Sequence, residues 1–274
     1  MAMSGLFDVT GRTVAITGGG GVLCGGLARY LADCGMRVAV LDLKRLAAEV
    51  VADAINEAGG EAVGIEIDVL DRDSVRAASQ TCEKALGRID VLINGAGGNH
   101  PDATTGPDKP FFDLATGAFE KVLGLNVLGT VLPCMEFGRP MAERGEGIIV
   151  NMASMNAFKP LTRIPAYSAA KSAVKNFTEW LAVHMAKEYS PSIRVNAVAP
   201  GFMLTEQNRF LLTDAATGEL TPRGRSIIEH TPAGRFGADE DLYGAVHWLL
   251  SPASRFVNGI CVPVDGGYSA FGGV

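Results

Sequence analysis

Tyr167 and Lys171 are the residues of this chain best spaced to do chemistry together. They stand four apart in Tyr167–Ser168–Ala169–Ala170–Lys171, one helical turn along and on the same face. An ammonium beside a phenol favours the phenolate, so a group with a reference pKa of about 10 can exchange protons nearer neutrality. Alone the pair says little. Its weight comes from Ser154, thirteen residues before the tyrosine, and from a glycine run near the start of the chain.

That run, Gly18–Gly19–Gly20–Gly21, lies between two readable elements. Arg12–Thr17 is a short apolar, β-rich run that predicts a buried strand, and Val22–Cys34 has helical periodicity, ended by Gly35. Strand, glycine turn and helix make a phosphate cradle, because free N–H groups at the helix start face the anion and glycine lets the backbone approach. Met36–Leu41 predicts the second strand, with Asp42 at its end, 24 positions after Gly18. A carboxylate there can bond a ribose 2′-hydroxyl and repel a 2′-phosphate, which points to NAD in preference to NADP. Lys44 and Arg45 follow closely and would soften that preference.

The elements that must position these groups alternate along the chain. Ala62–Ile67, Ile89–Ile93, Gly147–Met152, Ile193–Val198 and Ile260–Val264 are further β-type runs, separated by helical patterns near 44–58, 71–86, 116–142, 166–189 and 238–250. The pattern predicts an α/β fold, a parallel sheet of about seven strands with helices on both faces. No linker divides it, so residues 1–274 read as a single domain. Loops 97–112 and 201–236 fall at the carboxyl ends of strands, the edge where open α/β sheets bind ligands. Pro133 predicts a kink in its helix. His184, among Leu181, Val183 and Met185, reads as a packed or interface residue rather than a catalytic one.

Composition narrows the class. An apolar fraction of 47% over 274 residues supplies ample core, and a net charge of −6 without a basic cluster argues against nucleic acid and anionic membranes as partners. Met1–Arg12 lacks the charged start and apolar core of a signal peptide. Val122–Met135, the longest greasy stretch, is interrupted by Asn126, Gly129 and Pro133 and reads as too short to span a bilayer. Five cysteines without metal-type pairing read as reduced thiols in a cytoplasmic protein, with no metal site.

Thr17–Gly18 with the glycine run, Asp68–Val69, Asn94–Gly95–Ala96–Gly97, Asn126, Ser154, Tyr167 with Lys171, and Pro200–Gly201 with Thr205 resemble the motifs of the short-chain dehydrogenase/reductase family, in its order and at its spacing over nearly the whole chain. The resemblance implies a doubly wound Rossmann domain and a nicotinamide cofactor. Set against the family's T-G-x-x-x-G-x-G, Val22 and Cys24 stand where two glycines are usual, so the cradle shifts to Gly18–Gly21, Val22 and Leu23. By the same resemblance Asp68 and Val69 meet the adenine, Asn94, Ala96 and Gly97 form the turn beside the adenosine, and Pro200, Gly201, Met203 and Thr205 border the cofactor. Lys171 bonds the nicotinamide ribose as well as serving the phenol, and Asn126 links it to water. The family also implies a homo-oligomer, dimer or tetramer.

The nicotinamide carries the hydride, so the protein must place a carbonyl and manage one proton. Tyr167 reads as donor in reduction and acceptor in oxidation, with Ser154 holding the substrate oxygen. Taken singly, Ser154 could be a helix cap, Asn126 a helix-contact residue and Asp68 a cap before Leu70. Gly18–Leu23, Met155–Phe158, Pro160–Pro165, Thr205–Phe210 and Thr231–Gly237 resemble the branch acting as D-mannonate oxidoreductase (fructuronate reductase). A sugar acid needs a cation for its carboxylate, ideally arginine. Arg163 and Arg209 are the candidates, ahead of Lys159 and His100, and Asn156 is a further substrate candidate. Residues 203–236 read as a lid of helix interrupted by a tight turn at Asp214–Gly218. Rival readings are a gluconate-type or 3-oxoacyl reductase, and a nucleotide-sensing protein of the same fold without turnover.

Overall fold

The computed structural model describes residues 5–204, 209, 212–214 and 217–273. Among these residues seven strands are present: β1 (Thr13–Thr17), β2 (Arg37–Asp42), β3 (Glu61–Glu66), β4 (Val91–Asn94), β5 (Gly147–Met152), β6 (Ile193–Pro200) and β7 (Cys261–Val264). All pair in parallel, in the order β3-β2-β1-β4-β5-β6-β7. Among the described residues eight α-helices cover them: α1 (Val22–Asp33), α2 (Arg45–Glu57), α3 (Arg72–Leu86), α4 (Thr116–Leu123), α5 (Gly129–Arg144), α6 (Pro165–Glu188), α7 (Pro222–Glu229) and α8 (Glu240–Leu250).

Side chains alternate across each strand, and the two cores follow from that. Val14, Ile16, Val38, Val40 and Ile93 pack under α1, α2 and α8. Ala15, Ala39, Leu41, Leu92 and Ile149 pack under α3, α5 and α6. Helices on both faces leave no solvated side, which is why β1, β5 and β6 are buried at every position and read as unbroken apolar runs. Chain order reverses between β1 and β4, and the crevice at their carboxyl ends is where such sheets take ligands.

Two expectations are corrected in the 116–144 stretch. The irregularity lies not at Pro133, which sits inside α5, but at a π-helical turn, Gly124–Leu128, joining α4 to α5. Extra-residue turns of this kind gather at functional sites, and Asn126 is on it. The stretch also runs on as helix through Asn126, Gly129 and Pro133, so Thr116–Arg144 is long and apolar enough to cross a membrane by length and composition. Its buried polar side chains are partnered within the fold, Asn126 with Gly98 and Glu136 with Arg72 at 2.7 Å, as in a helix packed against protein.

In the 203–236 segment Thr213 pairs antiparallel with Leu220 around Asp214–Gly218, and α7 follows, capped by the Thr221 hydroxyl accepting the Gly224 N–H. His184 stacks on Trp180 at 4.8 Å.

Candidate active site

A cavity of about 700 Å³ opens at the β1–β4 reversal. Gly18, Gly21, Val22, Leu23, Asp42, Asp68, Val69, Ala96, Gly97, Ser154, Tyr167, Lys171, Pro200, Gly201 and Met203 all line it. Residues far apart in sequence thus reach one space. Thr205 lies outside the described residues.

The end of the cavity at β1 and β2 is built for an anion next to a diol. Gly21 caps α1 without a side chain, leaving the first-turn N–H groups of Val22 and Leu23 beside the cavity. Gly18 has φ 66, and a Cβ there would stand 2.9 Å from the Ala96 nitrogen, so only glycine fits. Cys24 replaces a family glycine, and Gly95 makes room for it: a Cβ on Gly95 would come within 2.2 Å of the Cys24 sulfur. The thiol is inert there, burial pushing its pKa up to about 12. Asp42 ends β2 with its carboxylate fixed by two main-chain donors, Gly20 N–H at 3.2 Å and Lys44 N–H at 3.0 Å. Arg45 is engaged by Glu49 at 2.7 Å. Asp68 accepts the Leu70 N–H at 2.9 Å, while Asp71 is the cap of α3. These features fit a dinucleotide: N–H donors for a pyrophosphate, a fixed carboxylate for a ribose.

Asn94 is corrected. It pairs in register with Asn151 of β5, so its side chain points under the sheet, donating to Asn151 Oδ1 at 2.8 Å and contacting Cys134 Sγ. The adjoining turn is held instead by Thr17, whose hydroxyl accepts the Gly95 and Ala96 N–H groups at 3.1 and 3.2 Å. Thr17 stands in the first motif, yet nothing in the sequence showed where its hydroxyl would turn.

At the other end, Ser154 follows β5, while Tyr167 and Lys171 rise from the first turns of α6. Lys171 is almost fully buried and donates to the Met152 carbonyl at 2.7 Å. That carbonyl carries no sequence signal. Burial pulls the Lys171 pKa down to about 8. Tyr167 is likewise shifted up by burial, against the lowering influence of the Ser154 hydroxyl. The phenolate expected from the neighbouring ammonium is therefore corrected for the protein alone: Nζ stands 5.5 Å from the ring centroid, and desolvation outweighs it. Tyr167 packs against a small apolar cluster that contains Ala103, from loop 97–112, with Ala118, Val122 and Ala166. Asn126, fully buried, donates to the carbonyls of Gly98 and Val122 at 2.7 and 2.8 Å and accepts the Gly98 N–H. Gly97 separates it from the lysine, for a Cβ there would lie 2.7 Å from Asn126 Oδ1 and 3.2 Å from Lys171 Nζ.

The substrate candidates divide. Asn156 is corrected: it is buried behind Ser154 and does not line the cavity. Arg163, like Asn156, is not among the residues that line the cavity; it is exposed, with φ 75 and its carbonyl accepting the Thr105 N–H at 2.8 Å. Arg209 likewise does not line the cavity; it is exposed, and its carbonyl accepts the Thr213 N–H at 2.8 Å. Lys159 donates to the Phe271 carbonyl at 2.7 Å, and His100 accepts the Asp102 N–H at 3.1 Å. No group of three or more His, Cys, Asp or Glu suited to a metal occurs among the described residues.

Relatives share this architecture. An uncharacterized oxidoreductase of Bacillus subtilis, UxuB, is 45% identical over 276 residues, covering 97% of this chain and 98% of its own. A protein of Haemophilus influenzae, provisionally assigned as a D-mannonate oxidoreductase and solved with bound NAD, is 45% identical with a TM-score of 0.92, covering 97% and 98%. A gluconate 5-dehydrogenase of Burkholderia cenocepacia, solved with NADP and tartrate, is 32% identical with a TM-score of 0.86, also covering 97% and 98%. The 5-keto-D-gluconate 5-reductase of Escherichia coli K12 is 33% identical over 269 residues, covering 97% and 98%. Residues 12–216 match the short chain dehydrogenase family as a whole. With that match added to the glycine cradle and the Ser154, Tyr167 and Lys171 cluster, the chain belongs to the short chain dehydrogenase family of nicotinamide-dependent oxidoreductases.

Proposed function

We propose that the protein interconverts a keto-sugar acid and the corresponding hydroxy-sugar acid with NAD, D-fructuronate and D-mannonate being the favoured pair. The nicotinamide, when bound, supplies the hydride chemistry. Tyr167 protonates the substrate oxygen in reduction and receives the proton in oxidation, Ser154 donates a hydrogen bond to that oxygen, and Lys171 holds the ribose. Asn126 fixes the Gly98 loop beside the lysine. The tethered Asp42 carboxylate supports NAD over NADP, as does the pairing of Arg45 with Glu49.

The observation that carries the substrate class is Arg163. A non-glycine residue in the left-handed region is strained, and such strain gathers at ligand clamps. This one lies two residues before α6, is tied to loop 97–112 through Thr105, and has no ion-pair partner among the described residues. An exposed guanidinium in that place suits a carboxylate. Arg209, in the 203–236 segment, is the second cation, and that segment acts as a lid. A gluconate-type reaction is the second reading, favoured by the Escherichia coli reductase and by the structure with tartrate. Free thiols and exposed apolar residues such as Leu128, Met135, Trp180 and Val183 on or beside α5 and α6 support a cytoplasmic homo-oligomer.

Consumption of reduced nicotinamide with D-fructuronate, 5-keto-D-gluconate and an uncharged keto-sugar, using NADH and NADPH, tests the reading. Arg163→Ala should raise KM about tenfold or more for the acid, the scale of a lost charge-assisted bond, and much less for the uncharged sugar. Equal effects on both would remove the carboxylate contact. Turnover confined to uncharged substrates would remove the sugar-acid assignment.

A further inference from the structure

Ser154 has to give a hydrogen bond rather than take one, and the structure contains the device that makes it do so. Its Oγ faces two donors of one residue, the main-chain N–H and the side-chain Nδ2 of Asn156, each at 3.3 Å. Neither can accept, so both lone pairs of the hydroxyl are met and its proton is left for another partner. The amide cannot turn over. Its Oδ1 accepts the Leu161 N–H at 3.0 Å and the Ser168 hydroxyl at 3.1 Å, and a reversed amide would set NH₂ against the donor-only Leu161 N–H. Ser168 directly follows Tyr167 on α6. One buried amide thus joins the end of β5, the turn near Leu161 and the helix that carries the proton donor.

We propose that Asn156 is a positioning residue that makes Ser154 an obligate hydrogen-bond donor to the substrate oxygen. It touches neither the cavity nor the reacting atoms and acts only through Ser154. The inference rests on the reading of Ser154 as the residue that holds that oxygen.

Asn156→Asp is the informative change, because it keeps shape and the Oδ1 acceptor and exchanges only the donor. As a carboxylate the new side chain accepts the Ser154 proton and takes it from the substrate. As a neutral acid it donates to Ser154 as the amide did. Burial favours the neutral acid, and the Leu161 and Ser168 donors at Oδ1 favour the carboxylate. The ratio of variant to wild-type kcat for reduction should therefore fall about tenfold to hundredfold on the alkaline side, the scale of one lost donor to the reacting oxygen. It should climb back as pH falls, with NADH affinity unchanged at every pH. In a Ser154→Ala background the same substitution should have no further effect. Ser168→Ala removes one anchor of the amide and should lower kcat about two- to fivefold, again only when Ser154 is present. It carries the test if the aspartate variant does not fold. A ratio flat with pH, or equal losses with and without Ser154, would overturn the role of Asn156. Wild-type turnover in Ser154→Ala alone would instead remove the reading of Ser154 on which the inference rests.

Discussion

Replacing Lys171 by methionine should leave the protein without cofactor at least as stable at neutral pH while destroying its activity. In the folded chain the ammonium is buried with one oxygen acceptor, Met152 O, and its pKa is drawn from 10.5 to about 8. At about 1.4 kcal/mol per pH unit, keeping the proton there costs roughly 3 kcal/mol relative to the unfolded chain. The unfolded chain holds its proton to about pH 10.5 and the folded chain releases it near 8, so across that interval the unfolded state binds more protons and wild-type stability rises with pH. Methionine fills a similar volume and does not titrate. It leaves the Met152 carbonyl without its donor, a loss of about 1–3 kcal/mol that does not vary with pH. Urea unfolding of both proteins at matched concentration should therefore show the variant equal or superior near neutrality. The wild type should gain on it by about 3 kcal/mol between roughly pH 7 and pH 11. Saturating NAD should reverse the order at neutral pH, because ligand binding stabilises the protein that holds it. A difference between the two proteins that stays constant over that pH range would refute the desolvation account of Lys171.

Tyr167→Phe removes only the hydroxyl, so it should abolish most turnover with NAD affinity nearly intact; a variant keeping more than a few per cent of the rate would rule out this residue as acid and base. Because burial raises the Tyr167 pKa, reduction should be favoured at neutral pH and oxidation should gain with rising pH, which initial rates in both directions would measure. Asp42→Ala should lift relative efficiency with NADP by removing the charge that repels a 2′-phosphate, and comparable efficiency with both cofactors in the wild type would overturn the role of Asp42.

The fold was legible because burial on both faces turns each strand into a short apolar run. Gly147–Met152 was placed to the residue, and the others to within a few positions at their ends. What escaped is decided by main-chain geometry. The π-turn at Gly124–Leu128 adds a residue to one helical turn, and neither its own Gly124 nor Pro133, which keeps helical conformation five residues later, marks that extra residue in the sequence. Type and spacing found Tyr167 and Lys171, but their proton affinities depend on burial, which spacing does not express. The ammonium that was to favour a phenolate is itself disfavoured by the same desolvation.

Three asparagines show where inference from residue type ends. Asn94, Asn126 and Asn156 each stood in a motif, each is buried, and each was assigned to a ligand or a proton path. The fold meets the amides in different ways. Asn94 faces its register partner Asn151 and so belongs to the sheet. Asn126 grips the Gly98 loop from both ends of its amide and so shapes the wall beside Lys171. Asn156 has its oxygen filled by Leu161 and Ser168, leaving its NH₂ for Ser154. Asn94 Oδ1 is buried without a hydrogen-bond partner, whereas Asn126 and Asn156 pair donor and acceptor together, so their chemical role is whatever the backbone leaves to be paired. Only in Asn156 does that remainder reach a group placed to touch substrate, and there it decides which way the hydrogen bond of Ser154 runs.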